Sequence, residues 1–103
     1  MTLEELYNIV ANRKTSFAEE SYVANLMTEG IDRILQKIGE EATEVVIAGK
    51  NNIRKDLISE STDLLFHLVV LFSNQDIKLD QIYEELEKRR KIVKPSPTSY
   101  KSE

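Results

Sequence analysis

Residues 31–72 read IDRILQKIGEEATEVVIAGKNNIRKDLISESTDLLFHLVVLF, and this stretch decides the fold. From Ile31 to Ala48 the apolar set Ile34, Leu35, Ile38, Ala42, Val45 and Val46 follows the period of about 3.6 residues that marks an amphipathic helix. A second pattern, about Ile53 to Ser73, is apolar on nearly every side after Asp63, as expected of a helix surrounded by protein. Only the polar stretch Gly49, Lys50, Asn51, Asn52 separates the two, which is short enough to make them antiparallel neighbours. The predicted fold class is therefore all-α: a helical bundle built on an antiparallel helix hairpin.

Two carboxylate pairs, Glu41 with Glu44 and Glu60 with Asp63, stand within this apolar stretch. Residues three apart share a helix face, so each pair presents two carboxylates side by side. A hairpin whose midpoint falls at position 52 sets Glu44 opposite Glu60 and Glu41 opposite Asp63. One turn further along, the same register sets Lys37 opposite His67. Two like charges about 4 Å apart repel by roughly 4 kcal/mol at an effective dielectric of about 20. Relief must come from protonation, from basic partners or from bound cations, and Lys37 is the only basic residue on the same stripe of either helix. All the groups on offer are oxygens, cysteine is absent and there is a single histidine, so Mg²⁺ or Mn²⁺ is favoured over zinc. A di-iron bundle is disfavoured because its ExxH pairs are missing. The competing reading is a solvated helix face, the usual fate of charged residues; the apolar neighbours of Glu60 and Asp63 and the matching register count against it.

The remaining composition sets bounds. With 103 residues and 11.9 kDa the chain makes one small domain, for which association between copies is a natural way to bury more surface. Phe66, Val69 and Val70 are the expected face of a homodimer or higher oligomer, since a helix apolar all round is hard for one short chain to cover. Lys and Arg total 14 against 18 Asp and Glu, a net charge of −4, which provides no basic field for a nucleic-acid backbone. Disulfides and thiol chemistry are excluded by the lack of cysteine, and neither a leader before the first helical pattern nor a location outside the cytoplasm is expected. Leu64 to Phe72, LLFHLVVLF, is far short of the roughly 20 apolar residues that cross a bilayer.

Thr2 with Glu5 matches a capping box, and Leu3, Leu6, Tyr7 and Val10 continue as a helix to about Asn12. Arg13 to Glu20 reads as a loop, and Tyr22, Val23, Leu26 and Met27 form a short helix stopped by Gly30. A last amphipathic helix, roughly Leu79 to Ile92, turns Leu79, Ile82, Tyr83 and Leu86 inward and ends in the basic run Lys88 to Lys91, a complement to the helix C-terminus. Residues 1–93 are thus the domain, and 94–103, KPSPTSYKSE, are expected to form a flexible tail.

The motif EExxE at Glu40, Glu41 and Glu44, followed by ExxD at Glu60 and Asp63, resembles the all-alpha nucleoside-triphosphate pyrophosphohydrolase superfamily, the MazG-like group. More closely, SYxxxL at Ser21 to Leu26, GIDRILQKIGEEATEVVIAGK at Gly30 to Lys50 and ESTDLLFHLVVLF at Glu60 to Phe72 are similar to the phosphoribosyl-ATP pyrophosphohydrolase family. The resemblance covers about residues 3 to 93. It implies the second step of histidine biosynthesis, in which water cleaves the bond between the alpha and beta phosphates of phosphoribosyl-ATP to give phosphoribosyl-AMP and pyrophosphate. The metal-ligand positions it implies are Glu41, Glu44, Glu60 and Asp63. It also implies the monofunctional form, because this chain lacks the length and the cysteines of the fused cyclohydrolase domain.

Around that acidic centre, Lys37 is the expected phosphate contact, with Arg13, Lys14 and Arg89 as partners from other elements or a second subunit. Glu40 sits about 100° round the helix from Glu41 and could orient or deprotonate water only from the edge of the site. Ser21 and Tyr22 either cap and anchor the short helix or also touch substrate. His67 is expected as a satisfied structural histidine. The alternative activities are a related housekeeping nucleoside-triphosphate pyrophosphohydrolase and a non-enzymatic metal-binding bundle.

Overall fold

The computed structural model of the chain describes residues 1–90, whose regular elements are all helices, with no strand among them. The sequence expectations for residues 94–103, and for Lys91 and Ile92 at the end of the last helix, lie outside the described residues. Five α-helices follow one another: α1 (Leu3–Arg13), α2 (Tyr22–Glu29), α3 (Ile31–Lys50), α4 (Arg54–Asn74) and α5 (Leu79–Lys88), with a single 3₁₀ turn at Ala18–Glu20 inside the loop before α2. No described helix is long and apolar enough to cross a membrane.

Local chemistry sets the boundaries. Thr2 Oγ1 accepts the Glu5 amide at 3.1 Å while Glu5 Oε1 accepts the Thr2 amide at 3.1 Å, the reciprocal capping box that starts α1. Ser21 Oγ accepts the Ala24 amide at 3.3 Å and starts α2, which Gly30 ends at φ +98°.

The turn of the hairpin is tighter than the polar stretch suggests. Gly49 and Lys50 belong to the last turn of α3, and the residue that enters the left-handed region is Asn52 (φ +56°), whose short polar side chain tolerates it. The Ile53 amide then bonds the Ala48 carbonyl at 3.2 Å and the Asn52 amide bonds that of Gly49 at 3.2 Å, a Schellman closure. The same closure ends α4, with Asp76 at φ +57° and the Ile77 amide on the Phe72 carbonyl at 2.8 Å.

The core lies at the end of the hairpin away from this turn. Val10 of α1, Val23 and Leu26 of α2, Ile34 of α3, and Val69 and Val70 of α4 form one buried cluster, ringed by Leu6, Tyr7, Met27, Ile38, Phe66 and Leu71. α1 and α2 therefore clamp the N-terminal half of α3 to the C-terminal half of α4. This corrects the expected dimer face: Val70 is 0% exposed and Val69 is 2% exposed within a single chain, and Phe66 packs against the same cluster. The apolar surface left open lies nearer the turn, on Val46, Ile47, Ile53, Leu57, Ile58 and Leu65, with Val46 69% exposed. Leu35 and Val46, expected inward, are exposed because none of the described residues covers their side of α3. Leu86 of α5 is exposed for the same reason.

The clamp concentrates the stability of the chain in few side chains. Ile34→Ala removes a fully buried group and is expected to cost about 2–5 kcal/mol. In a domain of this size that lowers the melting temperature by about 8 °C or more, on roughly 4–8 °C per kcal/mol. A loss under about 1 kcal/mol in thermal or urea unfolding would contradict this placement of the core.

Candidate active site

The acidic residues line the seam between α3 and α4 just where the core gives way to the open half of the hairpin. Lys37, Glu41 and Glu44 run along one stripe of α3, and Glu60, Asp63 and His67 along one stripe of α4. The carboxylates of Glu44 and Glu60 lie within hydrogen-bonding reach of each other, as the register about position 52 requires.

One turn deeper the pairing becomes diagonal. Glu41 Oε1 lies 2.5 Å from His67 Nδ1, whereas the Asp63 carboxylate, directly opposite in register, acts on Glu41 only through its charge. Side chains on a helix lean toward its N-terminus, and in an antiparallel pair the two leans are opposed. Glu41 thus leans along the seam toward His67, and His67 leans back toward Glu41. Lys37 does not pair with His67: its Nζ stays on its own helix, 3.5 Å from Glu40 Oε1 and 4.0 Å from Glu41 Oε2.

The electrostatics of the seam are unfavourable to full ionisation. The Glu60 carboxyl is pushed up to about 7 from its ordinary 4.5, first by the hydrogen bond to Glu44, which needs a shared proton, then by burial and the charges of Glu44, Asp63 and Asp56. The Glu41 carboxyl is raised chiefly by burial, with His67 and Lys37 opposing and Asp63 and Glu44 reinforcing the shift. Glu40, on the exposed side, goes the other way: bonds from Gln36 and Lys37 hold its carboxyl below the usual range.

Two buried carboxylate oxygens, Glu41 Oε1 and Glu60 Oε2, receive no hydrogen bond. Glu41 Oε1 lies 2.5 Å from His67 Nδ1, an ion pair when the ring is protonated, while the same nitrogen faces the Asp63 carbonyl at 2.9 Å. Leaving a buried anionic oxygen without a donor is costly, and such oxygens are what a hard cation takes as ligands. The donor set therefore fits Mg²⁺ or Mn²⁺. The residues do not close into a cage, however: among the described residues no group of three His, Asp or Glu side chains is arranged to hold an ion. Beside Glu44 and Glu60 a cleft of about 160 Å³ opens, lined also by Asn51 and Asp56.

A profile of the phosphoribosyl-ATP pyrophosphohydrolase family matches residues 3–90. A phosphoribosyl-ATP pyrophosphatase of Clostridium novyi (strain NT) is 50% identical over 91 residues, spanning 88% of this chain and 83% of the relative. One from Geotalea daltonii is 52% identical over 87 residues (84% and 82% of the two chains), and one from Methanocella arvoryzae is 47% identical over 91 residues (86% and 96%). The chain belongs to the phosphoribosyl-ATP pyrophosphohydrolase family.

In this family member the residues expected around the acidic centre have varied placements. Tyr22, 49% exposed, stands beside it, stacked on Phe66 with ring centroids 6.0 Å apart and its hydroxyl 2.7 Å from His67 Nε2. Ser21 caps α2, and Arg13 lies exposed in the last turn of α1. Lys14 pins α1 to the end of α4, donating to the Ser73 carbonyl at 2.6 Å and meeting Asp76 Oδ1 at 3.3 Å. Arg89 Nη2 lies 3.7 Å from Glu85 Oε1. Two neighbours escaped sequence reasoning. Asp56 was findable, four residues before Glu60 on the same helix face. The link from Tyr22 to His67 joins elements 45 residues apart and has no local signal.

Because folding raises the Glu60 carboxyl from 4.5 to about 7, its favourable contribution is fully present below about pH 4.5 and is lost as pH rises through about 7. Glu60→Gln removes that dependence. In chelator at low ionic strength the variant should melt above the wild type at pH 8, with the gap closing toward pH 4.5. A gap that does not change with pH would contradict the shared proton.

Proposed function

We propose that this chain hydrolyses phosphoribosyl-ATP to phosphoribosyl-AMP and pyrophosphate, the second step of L-histidine biosynthesis. The family match supports the substrate. The observation that carries the chemistry is the pair of buried, donorless carboxylate oxygens on facing helices, Glu41 Oε1 and Glu60 Oε2.

In this reading Glu41, Glu44, Glu60 and Asp63 hold Mg²⁺, or Mn²⁺ in its place. When bound, the cation neutralises charge on the triphosphate and on the departing pyrophosphate. The chain's own groups supply position and proton handling. Lys37, held at the rim by Glu40 and Glu41, turns to a phosphate oxygen at the cost of two long ion pairs. Glu40 remains ionised at neutral pH and can accept the proton of a water attacking the alpha phosphorus from the edge of the site. As the new P–O bond forms, the bond from the alpha phosphorus to the bridging oxygen breaks and pyrophosphate leaves. Tyr22 offers its half-exposed ring to the nucleotide, with Ser21 beside it in sequence. Arg13, Lys14 and Arg89 meet phosphate only if it reaches their parts of the surface or a partner supplies them.

A homodimer formed through the open hairpin face at Val46, Ile47, Ile58 and Leu65 would cover the apolar surface that one chain leaves in water. A cytoplasmic location suits a cysteine-free enzyme acting on a soluble metabolite.

The test is pyrophosphate release from phosphoribosyl-ATP and from a panel of ordinary nucleoside triphosphates, with Mg²⁺ present. Phosphoribosyl-ATP should be turned over best, and Glu44→Gln and Glu60→Gln should each lower kcat by about 100-fold or more. Hydrolysis of the panel alone would overturn the substrate, and full activity in both variants would overturn the site. Sedimentation of the same preparation should give about twice 11.9 kDa, and a monomer at assay concentration would remove the dimer.

A further inference from the structure

Three aromatic rings stand open to solvent among the described residues: Phe17, Tyr22 and Tyr83. The Tyr83 hydroxyl is tied to Glu4 on α1, and Phe17 packs against no other ring. Tyr22, the first residue of α2, is both locked in place and set against the acidic seam. Phe66 stacks on one of its faces, with centroids 6.0 Å apart and planes 23° apart, and its hydroxyl lies 2.7 Å from Nε2 of the buried His67. A ring held at one face and at its tip keeps the other face open in a fixed plane, and 49% of the residue stays exposed.

One imidazole separates this ring from the carboxylates, since Nδ1 of the same His67 lies 2.5 Å from Glu41 Oε1. The charges that act on Tyr22 come in opposed pairs: Lys37 with Glu41, and Arg33 with Glu29, whose groups meet at 3.2 Å. Such pairs largely cancel over the open face, which leaves the ring's own charge distribution to act on a ligand. Burial pushes the Tyr22 phenol up from 10.0, so the ring is neutral at physiological pH. A neutral aromatic ring is negative over its face and positive at its edge, and that face attracts a flat cation more strongly than a flat neutral group.

Phosphoribosyl-ATP differs from ATP in the charge of its base. Its second ribose is attached at N1 of the adenine, and an adenine alkylated there holds a proton on its amidine at neutral pH. The base is then a flat cation, where that of ATP is a flat neutral ring. Both can stack on an aromatic side chain, but only the cation gains the added attraction of the ring face. We propose that Tyr22 is a specificity-determining residue: the open face of its ring stacks on the cationic, N1-alkylated adenine of the substrate and so distinguishes it from ordinary adenine nucleotides. The inference rests on the substrate reading given under the proposed function.

The experiment compares the binding of 1-methyladenosine 5′-phosphate and of AMP by calorimetry, the N1 methyl group standing in for the second ribose and giving the base the same charge. The wild type should prefer the methylated nucleotide about fivefold, the size of a partly desolvated contact between a cation and an aromatic face. Tyr22→Leu should bind both nucleotides more weakly and bring their ratio to about one, while Tyr22→Phe should keep the preference. In the wild type, the Tyr22 ring proton resonances, identified by their absence from Tyr22→Phe, should move upfield as the methylated nucleotide is added. Equal affinities in the wild type, or a preference that survives in Tyr22→Leu, overturn the proposal. If Tyr22→Leu does not fold, wild-type ring resonances that stay in place overturn it. Turnover on the same preparation separates the two readings. Failure to turn over phosphoribosyl-ATP overturns the substrate and this inference with it; turnover alongside equal nucleotide affinities overturns only the part given to Tyr22.

Discussion

Two carboxylate oxygens with no donor, buried in the seam between α3 and α4, are the constraint on which the account of this molecule depends. They are expensive to keep, and the rest of the chain is arranged so that they stay where they are. The Schellman turn at Asn52 sets the register that brings Glu44 against Glu60. At the far end α1 and α2 clamp the hairpin around Ile34, Val69 and Val70, so the helices cannot slide apart to relieve the repulsion. The carboxylates sit between a fixed turn and a fixed core.

That division also separates stability from chemistry. The apolar half of the hairpin carries the burial that folds the chain, while the half nearer the turn is open, acidic and incompletely covered. Glu60 responds by holding a proton close to neutral pH, and Glu41 by lying 2.5 Å from the His67 ring nitrogen. Both are ways of storing an unmet demand for positive charge. In the proposed reading a hard cation would meet that demand more fully than either, so the same residues would destabilise the chain when empty and bind when filled.

Much of this was legible in the chain. The capping box at Thr2, the stop at Gly30, the hairpin and the facing of Glu44 and Glu60 follow from spacing alone, because each depends on residues close in sequence or on one short turn. Other expectations needed to know what covers a face, which periodicity does not say. Val69 and Val70 read as an interface because their helix is apolar all round, yet α1 and α2 of the same chain cover them. Leu35 and Val46 read as core and are open. Glu41 read as opposite Asp63, but the lean of side chains along opposed helices carries it to His67. The substrate was legible only through the flanking segments that carry the family resemblance, and its identity rests on that likeness.

Anomalous diffraction from crystals grown with Mn²⁺ tests the central claim most directly. The account predicts a peak in the seam within coordination distance of Glu44 and Glu60 and of at least one oxygen of Glu41. Crystals whose seam carboxylates remain as described, with Mn²⁺ absent or bound elsewhere on the surface, would contradict it.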